Sequence, residues 1–295
     1  VLERLVVDDE PYVLKHVAVE SDWIMRVTGD PGTWFLSLWT SGVLKRLPPA
    51  VDAVVVDVFP EGGGAAILMH EVGDCLVPDG DGVVPLEQHR RFLSHLAALH
   101  ATYWGWQDTL GLLAAERRWA WFAPAPMSVE AQRLPAAVPG LAVAGWSRLP
   151  QLAPRMADTL FVLHADLRPF LAAVATGPQT LVHGDVKFAN LGSRPHGATI
   201  MIDWALPGRA PPTYDLAHYL ALNSARMPES KEDAIATYRR ALEFQGQSTS
   251  TWFDDHVALA LLGHMLLLGW EKALGGPGPE LDWWAAAVER GAALL

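Results

Sequence analysis

The chain of 295 residues holds one cysteine, Cys75. A lone thiol cannot close an internal disulfide or build a multi-cysteine zinc site, so a reducing cytoplasm is the expected home. Basic residues are also scarce: 22 Lys and Arg stand against 33 Asp and Glu, a net charge of −11. That balance excludes a broad basic surface for nucleic acid and is compatible with a cationic substrate. No secretory signal opens the chain, and the apolar run from Val257 to Gly269, interrupted by His264, reads as too short to cross a bilayer. No G-x-S-x-G is present, which removes the usual setting of a serine hydrolase. No segment calls for a membrane or an obligate protein partner. The composition, 51% hydrophobic and 19% charged, suits a packed core, since a globule of this size buries roughly three quarters of its unfolded surface.

The first seventy residues read as strands around one helix. Leu2 to Val7 and Tyr12 to Val19 predict a hairpin across Asp8-Asp9-Glu10-Pro11. Residues 33–47 have helical spacing, Val51 to Phe59 reads as a strand, and Ala65 to Val72 returns after Glu61-Gly62-Gly63-Gly64. The chain reads as beginning inside a strand, with a first strand of this region lying at or before Val1. Residues 73–85, rich in Gly, Asp and Pro, form a linker. Helices are predicted over 86–104, 108–122 and 151–175, with 124–140 irregular. Two short strands, Thr180 to Val182 and Ala198 to Ile202, flank a polar loop. Helices follow over 214–224, 230–245, 250–272 and 280–293. The expected domains are a β-rich N-terminal lobe (1–72), a hinge and linker (73–85), and a helical C-terminal lobe (86–295).

The stretch from Leu181 to Asp215 carries the chemistry. Phosphoryl transfer needs a carboxylate to receive or orient the attacking hydroxyl. It also needs a second carboxylate and an amide oxygen for magnesium, which favours hard oxygen ligands. Asp185, Asn190 and Asp203 arrive in that order, the first two in a loop and the third at a strand end. The plain alternative is a pair of surface loops with ordinary turn-forming Asp and Asn.

His183-Gly184-Asp185-Val186-Lys187-Phe188-Ala189-Asn190 fits an HGDxxxxN loop, Ile202-Asp203-Trp204 an IDW segment, and Asp215-Leu216-Ala217 a later DLA. In these motifs the chain resembles the aminoglycoside phosphotransferase and choline kinase-like families, small-molecule relatives of the protein kinases. The resemblance implies an α+β, two-lobed protein kinase-like fold with ATP between the lobes and Mg2+ on the phosphates. By the same resemblance Asp185 is the catalytic base, with Lys187 beside the γ-phosphate. Asn190 and Asp203 are metal ligands, and His183 and Asp215 support the loop. Lys15, polar in an apolar strand, matches the phosphate-binding lysine of kinases; an edge-strand lysine facing water is the alternative. Met69, His70, Glu71 and Val72 fall at the hinge, where backbone groups would meet adenine. His100, in Leu96-Ala97-Ala98-Leu99-His100, reads as a packed or loop-bracing residue. In this family the C-terminal helices form the acceptor pocket, which makes Asp254, Asp255 and Glu271 candidates for an amine-bearing substrate; the alternative is solvated acids beside core aromatics.

Two kinase parts are missing. No glutamate lies between residues 21 and 60 to pair with Lys15, and Glu20, Asp22 and Asp30 are the substitutes within reach. No glycine-rich loop precedes Lys15. His89, His95 and His100 do not share a helical face and read as unrelated. The expected acceptor is a small hydroxylated molecule, first an aminoglycoside or related antibiotic, then an amino sugar, sugar or amino alcohol. A nucleotide-binding regulatory pseudokinase is the alternative of another class.

Overall fold

Asp8 and Asp9 both take left-handed backbone conformations (φ 51° and 65°), the twist a two-residue hairpin turn requires. They join β1 (Leu2–Val7) to β2 (Glu10–Ala18) as the sequence predicts. In the computed structural model, which describes residues 1–133 and 137–295, the chain falls into two units. One holds Val1–Leu113 with Gln179–Thr249, the other Ala114–Pro178 with Ser250–Leu295. The first unit thus contains both the expected N-terminal lobe and the catalytic segment.

Within the first unit, the strand predicted from Val51 to Phe59 is broken into β3 (Val51–Asp52) and β4 (Val55–Glu61). The Asp52 carboxylate accepts the Val54 N–H at 2.8 Å, and Val54 sits at φ 56°, rare for a β-branched residue. The turn sends the two pieces to different sheets. β5 (Gly64–His70) pairs with both β2 and β4, giving an antiparallel sheet ordered β1-β2-β5-β4. The helix predicted over 33–47 stops earlier, at Trp34–Thr40, and Leu44–Arg46 is a 3-10 turn beyond Gly42. Phe35, Leu36 and Trp39 of this helix pack on Val58, Ala65 and Ile67 of the sheet. An additional short helix, Trp23–Thr28, starts where the Asp22 carboxylate accepts the Ile24 N–H at 2.8 Å.

The rest of the first unit comprises the helices Leu86–Thr102, Thr213–Asn223 and Lys231–Phe244 and four short strands. These are β6 (Thr180–Val182), β7 (Leu191–Ser193), β8 (Thr199–Met201) and β9 (Gly208–Ala210). The two strands predicted to flank the polar loop are not partners of each other. β6 pairs with β9, and β8 pairs antiparallel with β7 and parallel with β3. Three-residue strands carry too little pattern to show their pairing, so the sequence reading passed over β7 and β9.

The second unit is helical. Its longest helix, Phe253–Gly275, passes by length and composition for a membrane span, which corrects the reading of 257–269 as too short; 83% of its apolar window is buried inside the protein. The helix Ala137–Leu152 comes so close to it that a Cβ on Gly145 would lie 2.2 Å from the Trp270 carbonyl oxygen. Residues 124–133, expected to be irregular, form the helix Pro124–Arg133, because prolines are tolerated in a first helical turn. The part of that expectation on 134–136 lies outside the described residues. The helix expected over 108–122 shrinks to Ala115–Arg118. In the preceding stretch, which belongs to the first unit, Asp108 accepts the N–H groups of Leu110 and Leu112 at 2.8 Å each, a local competitor of helix.

Candidate active site

The loop after β6 is held by buried groups from several elements of the first unit. Asp215, fully buried in the helix Thr213–Asn223, accepts the N–H groups of His183 (2.8 Å) and Gly184 (2.9 Å). It also meets His100 Nε2 at 3.1 Å, while His100 Nδ1 pairs with the Tyr238 hydroxyl. Thus His100 braces the loop. Gly184 is at φ 91°, and a Cβ there would stand 2.0 Å from the Leu206 carbonyl oxygen; only glycine fits. Asn223 accepts the Phe188 N–H (2.7 Å) and donates to the Val186 carbonyl (3.1 Å).

Burial pushes the Asp215 carboxyl up, but the hydrogen bonds from His100 and the Gly184 N–H outweigh this and hold it at about 2. Asp215→Ala removes the acceptor of two buried N–H groups and is expected to cost about 3–5 kcal/mol, read as a lower urea midpoint. The sign of the pH effect follows. A carboxyl depressed in the folded state stabilises at pH above its ordinary value of 3.8, and that contribution is lost as pH falls toward 2. Unfolding titrations from pH 5 to 2.5 should show wild type losing stability faster than Asp215→Asn.

The loop so held presents Asp185. Its Oδ1 accepts from His218 Nε2 at 3.0 Å; its Oδ2 accepts from Lys187 Nζ at 2.7 Å and from Asn190 Nδ2 at 2.9 Å. Burial raises the Asp185 carboxyl, but the His218 hydrogen bond and the Lys187 charge prevail, and it lies well below the usual carboxylate range. It is therefore ionised at neutral pH. His183 is neutral, its pKa lowered by burial: Nε2–H donates to the Ile202 carbonyl (3.0 Å), and Nδ1 accepts the Asp185 N–H (3.2 Å).

Asn190 accepts the Ile202 N–H at its carbonyl (3.0 Å), which ties the loop to the end of β8. One residue on, Asp203 leaves the strand at φ 64°, a conformation costly outside glycine and concentrated at functional positions. Its Oδ1 meets Lys15 Nζ at 2.7 Å. This supplies the partner of Lys15, which the sequence reading left open. The three substitutes are engaged elsewhere or stand apart: Asp22 caps one helix, Asp30 accepts from Gly32, Thr33 and Trp34, and Glu20 lies beside Gly63.

Lys15 and Asp203 line a cavity of about 320 Å³ together with Met69, His70, Glu71 and Val72. The N–H groups of residues 70–72, in the segment expected to be the hinge, can be followed here. His70 N–H goes to the Val54 carbonyl (3.0 Å) and Glu71 N–H to the Pro11 carbonyl (3.1 Å). The Val72 N–H has no protein acceptor among the described residues. Glu71 uses its carboxylate structurally, on the Gly73 N–H (2.8 Å) and Arg4 (3.4 Å).

Asp254, Asp255 and Glu271 belong to the second unit. The first two are exposed in the opening turn of Phe253–Gly275, and Glu271 pairs with Lys272 at 2.9 Å. The three histidines go separate ways, His89 to Tyr219 and Glu229, His95 to Thr199, His100 to Asp215. Sequence reasoning missed His218 and Asn223. The available signal for His218 was its place three residues after Asp215, on one helical face.

An acid–amide–acid set tied to a lysine on a β-sheet, with a helical remainder, is the arrangement of kinase-like phosphotransferases. Residues 75–253 match the phosphotransferase enzyme family (APH), and the chain belongs to it: this protein is a small-molecule phosphotransferase. No curated protein matches the chain. Among solved structures, choline kinase LicA from Streptococcus pneumoniae is 12% identical with a TM-score of 0.53, over 100% of this chain and 90% of that one. Aminoglycoside phosphotransferase APH(3'')-Id from Streptomyces rimosus, in complex with ADP and streptomycin, is 15% identical with a TM-score of 0.52, over 90% and 92%. A microcompartment-associated aminopropanol kinase is 14% identical with a TM-score of 0.50, over 99% and 90%. At these identities the likeness is one of fold, and it bears out the kinase-like class read from the motifs.

Proposed function

We propose that the protein transfers the γ-phosphoryl group of ATP to a hydroxyl of a small molecule. The observation that carries this reading is the set of Asp185, Asn190, Asp203 and Lys15, linked by hydrogen bonds and an ion pair, with Lys15 and Asp203 lining the cavity that Met69, His70, Glu71 and Val72 also line. Asp185, ionised, receives the acceptor hydroxyl. Lys15, with Lys187, meets the phosphates, and the Val72 N–H is the hinge donor left for the adenine edge. Residues 1–72 then act as the nucleotide lobe, 73–85 as the hinge, and 86–295 as the lobe of the catalytic loop and acceptor.

The donor set fits Mg2+. Asn190 turns its amide nitrogen to Asp185, which leaves its oxygen for a cation, and Asp203 adds a carboxylate; both are hard ligands. When bound there, the ion would neutralise phosphate charge. Chemistry by this chain's own residues is positioning and charge stabilisation.

The acceptor we favour is an aminoglycoside or related antibiotic, ahead of amino sugars, other sugars and amino alcohols. The solved proteins of this fold name choline, aminopropanol and streptomycin, all amine-bearing alcohols, and a chain of net charge −11 suits a cation. Dependence on ATP and the single cysteine favour the cytoplasm. The test is ADP release from Mg-ATP across a panel of aminoglycosides, other antibiotics, amino sugars, sugars and amino alcohols, with Asp185→Asn as control. Acceptor-dependent release lost in the variant supports the reading. ATP binding without release on any acceptor would favour the pseudokinase.

A further inference from the structure

His218 is a histidine that the family motifs do not assign. It is buried, 3% exposed, on the helix Thr213–Asn223. The Tyr214 ring, one turn earlier, stacks on its imidazole at 6.4 Å with an 18° interplanar angle. Asp185 Oδ2 already accepts from Lys187 and Asn190, so a carboxylate meets the imidazole at Oδ1, and the His218 Nε2–H donates to it at 3.0 Å.

The two oxygens of Asp185 are loaded unequally. Oδ2 takes two donors, Lys187 and Asn190, whereas Oδ1 takes His218. A carboxylate oxygen has about two in-plane acceptor sites, so Oδ2 is filled and Oδ1 keeps one site open. Lys187 is on a flexible stem, its side chain 41% exposed, while the His218 side chain is 4% exposed. Asn190, also buried, holds Oδ2, and the buried imidazole is the contact that holds Oδ1 and so sets the tilt of the carboxylate plane.

We infer that His218 is a positioning residue for phosphoryl transfer: its Nε2–H pins Oδ1 of Asp185 and orients the open site of that oxygen toward the acceptor hydroxyl. The inference rests on the reading of Asp185 as the base. In the transfer, the acceptor oxygen bonds to the γ-phosphorus, the bond from that phosphorus to the departing ADP oxygen breaks, and the hydroxyl proton passes to Asp185. Without the His218 contact the carboxylate can tilt about its Lys187 and Asn190 hydrogen bonds, the hydroxyl leaves the line of attack, and misplacement of about 1 Å costs on the order of 100-fold.

The experiment uses water as the acceptor, so no substrate need be known. Single-turnover hydrolysis of γ-labelled Mg-ATP, with enzyme in excess, is followed for wild type, His218→Leu, His218→Gln and Asp185→Asn. ATP affinity is titrated in parallel as the check on folding. Leu fills the space without a donor; the Gln amide nitrogen reaches about as far as Nε2. The expected result is a rate about 10–100-fold lower for His218→Leu, recovery to within about fivefold for His218→Gln, and ATP affinity within about twofold for both His218 variants. A rate for His218→Leu equal to wild type, with Asp185→Asn strongly impaired, overturns the inference and leaves the base intact. Equal loss in both His218 variants also overturns it, since packing alone would then explain the effect. Hydrolysis by wild type no faster than by Asp185→Asn counts against the base itself, and the inference goes with it.

Discussion

Asp185→Asn is expected to lower turnover about 1,000-fold while ATP affinity stays within about threefold. The amide is nearly isosteric, so the loop can stay where Asp215 and Asn223 hold it. Two things change at the reacting hydroxyl. The group beside it can no longer take a proton, and one of its two acceptor atoms becomes a donor. That new donor must face either His218 Nε2 or the Lys187 and Asn190 nitrogens, all of them donors themselves. The variant therefore loses the base and disturbs its neighbours. On the proposed reading the residues that meet nucleotide are Lys15 and the 69–72 segment, which line the cavity apart from Asp185, so binding should persist. Rapid-quench turnover beside calorimetric ATP titration separates the two; parallel losses in both would remove Asp185 from its proposed role.

Asp203→Asn should have an effect of similar size on turnover and a second, distinctive effect on binding. Asp203 neutralises Lys15 directly, at 2.7 Å. Both side chains are only partly covered, 27% and 31% exposed, and an ion pair that open to water contributes about 0–1 kcal/mol. It is thus easily exchanged: phosphates can take over the lysine when a cation takes over the carboxylate. ATP and Mg2+ should consequently strengthen each other's binding, by the same factor in either order. In wild type, adding Mg2+ is expected to tighten ATP binding by about 10-fold or more. In Asp203→Asn, ATP binds metal-free at least as well as in wild type, because Lys15 has lost its competing anion, and the gain on adding Mg2+ shrinks to about twofold or less. ATP titrations with EDTA and with Mg2+ measure this. An undiminished gain in the variant would exclude Asp203 from the metal site.

Much of this site could be read in the sequence because its chemistry is local. Asp185, Asn190 and Asp203 stand within one short stretch, and their order is the order phosphoryl transfer requires. The hairpin holding Lys15 was legible from its Asp-Asp tip and alternating strands. The contacts that depend on distant chain were not. Lys15 and Asp203 are 188 residues apart, and no local pattern says that an acid at a strand end replaces a helix glutamate. The helix that would carry such a glutamate turns Phe35 and Trp39 to the sheet, and its apolar face gave no hint of where the lysine goes. His218 was hidden for another reason. A histidine inside Tyr-Asp-Leu-Ala-His-Tyr-Leu looks like core filling until Asp215 is seen to hold the His183 and Gly184 N–H groups and His218 to hold Asp185 in the same loop. Proline misled in the stretch 124–133, where prolines in a first turn start a helix.

The parallel pairing of β3 with β8 also fixes an order of events during synthesis. β1, β2, β4 and β5 are all made by residue 70 and can close their sheet on the ribosome. β3 lies between them in sequence but has its partner, Thr199–Met201, well over one hundred residues downstream. Until that segment emerges, Val51–Asp52 is an unpaired edge, although Val54 is already held by the Asp52 carboxylate and the His70 N–H. Contacts this distant form late. A nascent chain can therefore own a finished four-stranded sheet well before Val51–Asp52 has its partner strand, which arrives with the same stretch of chain as Asp185, Asn190 and Asp203.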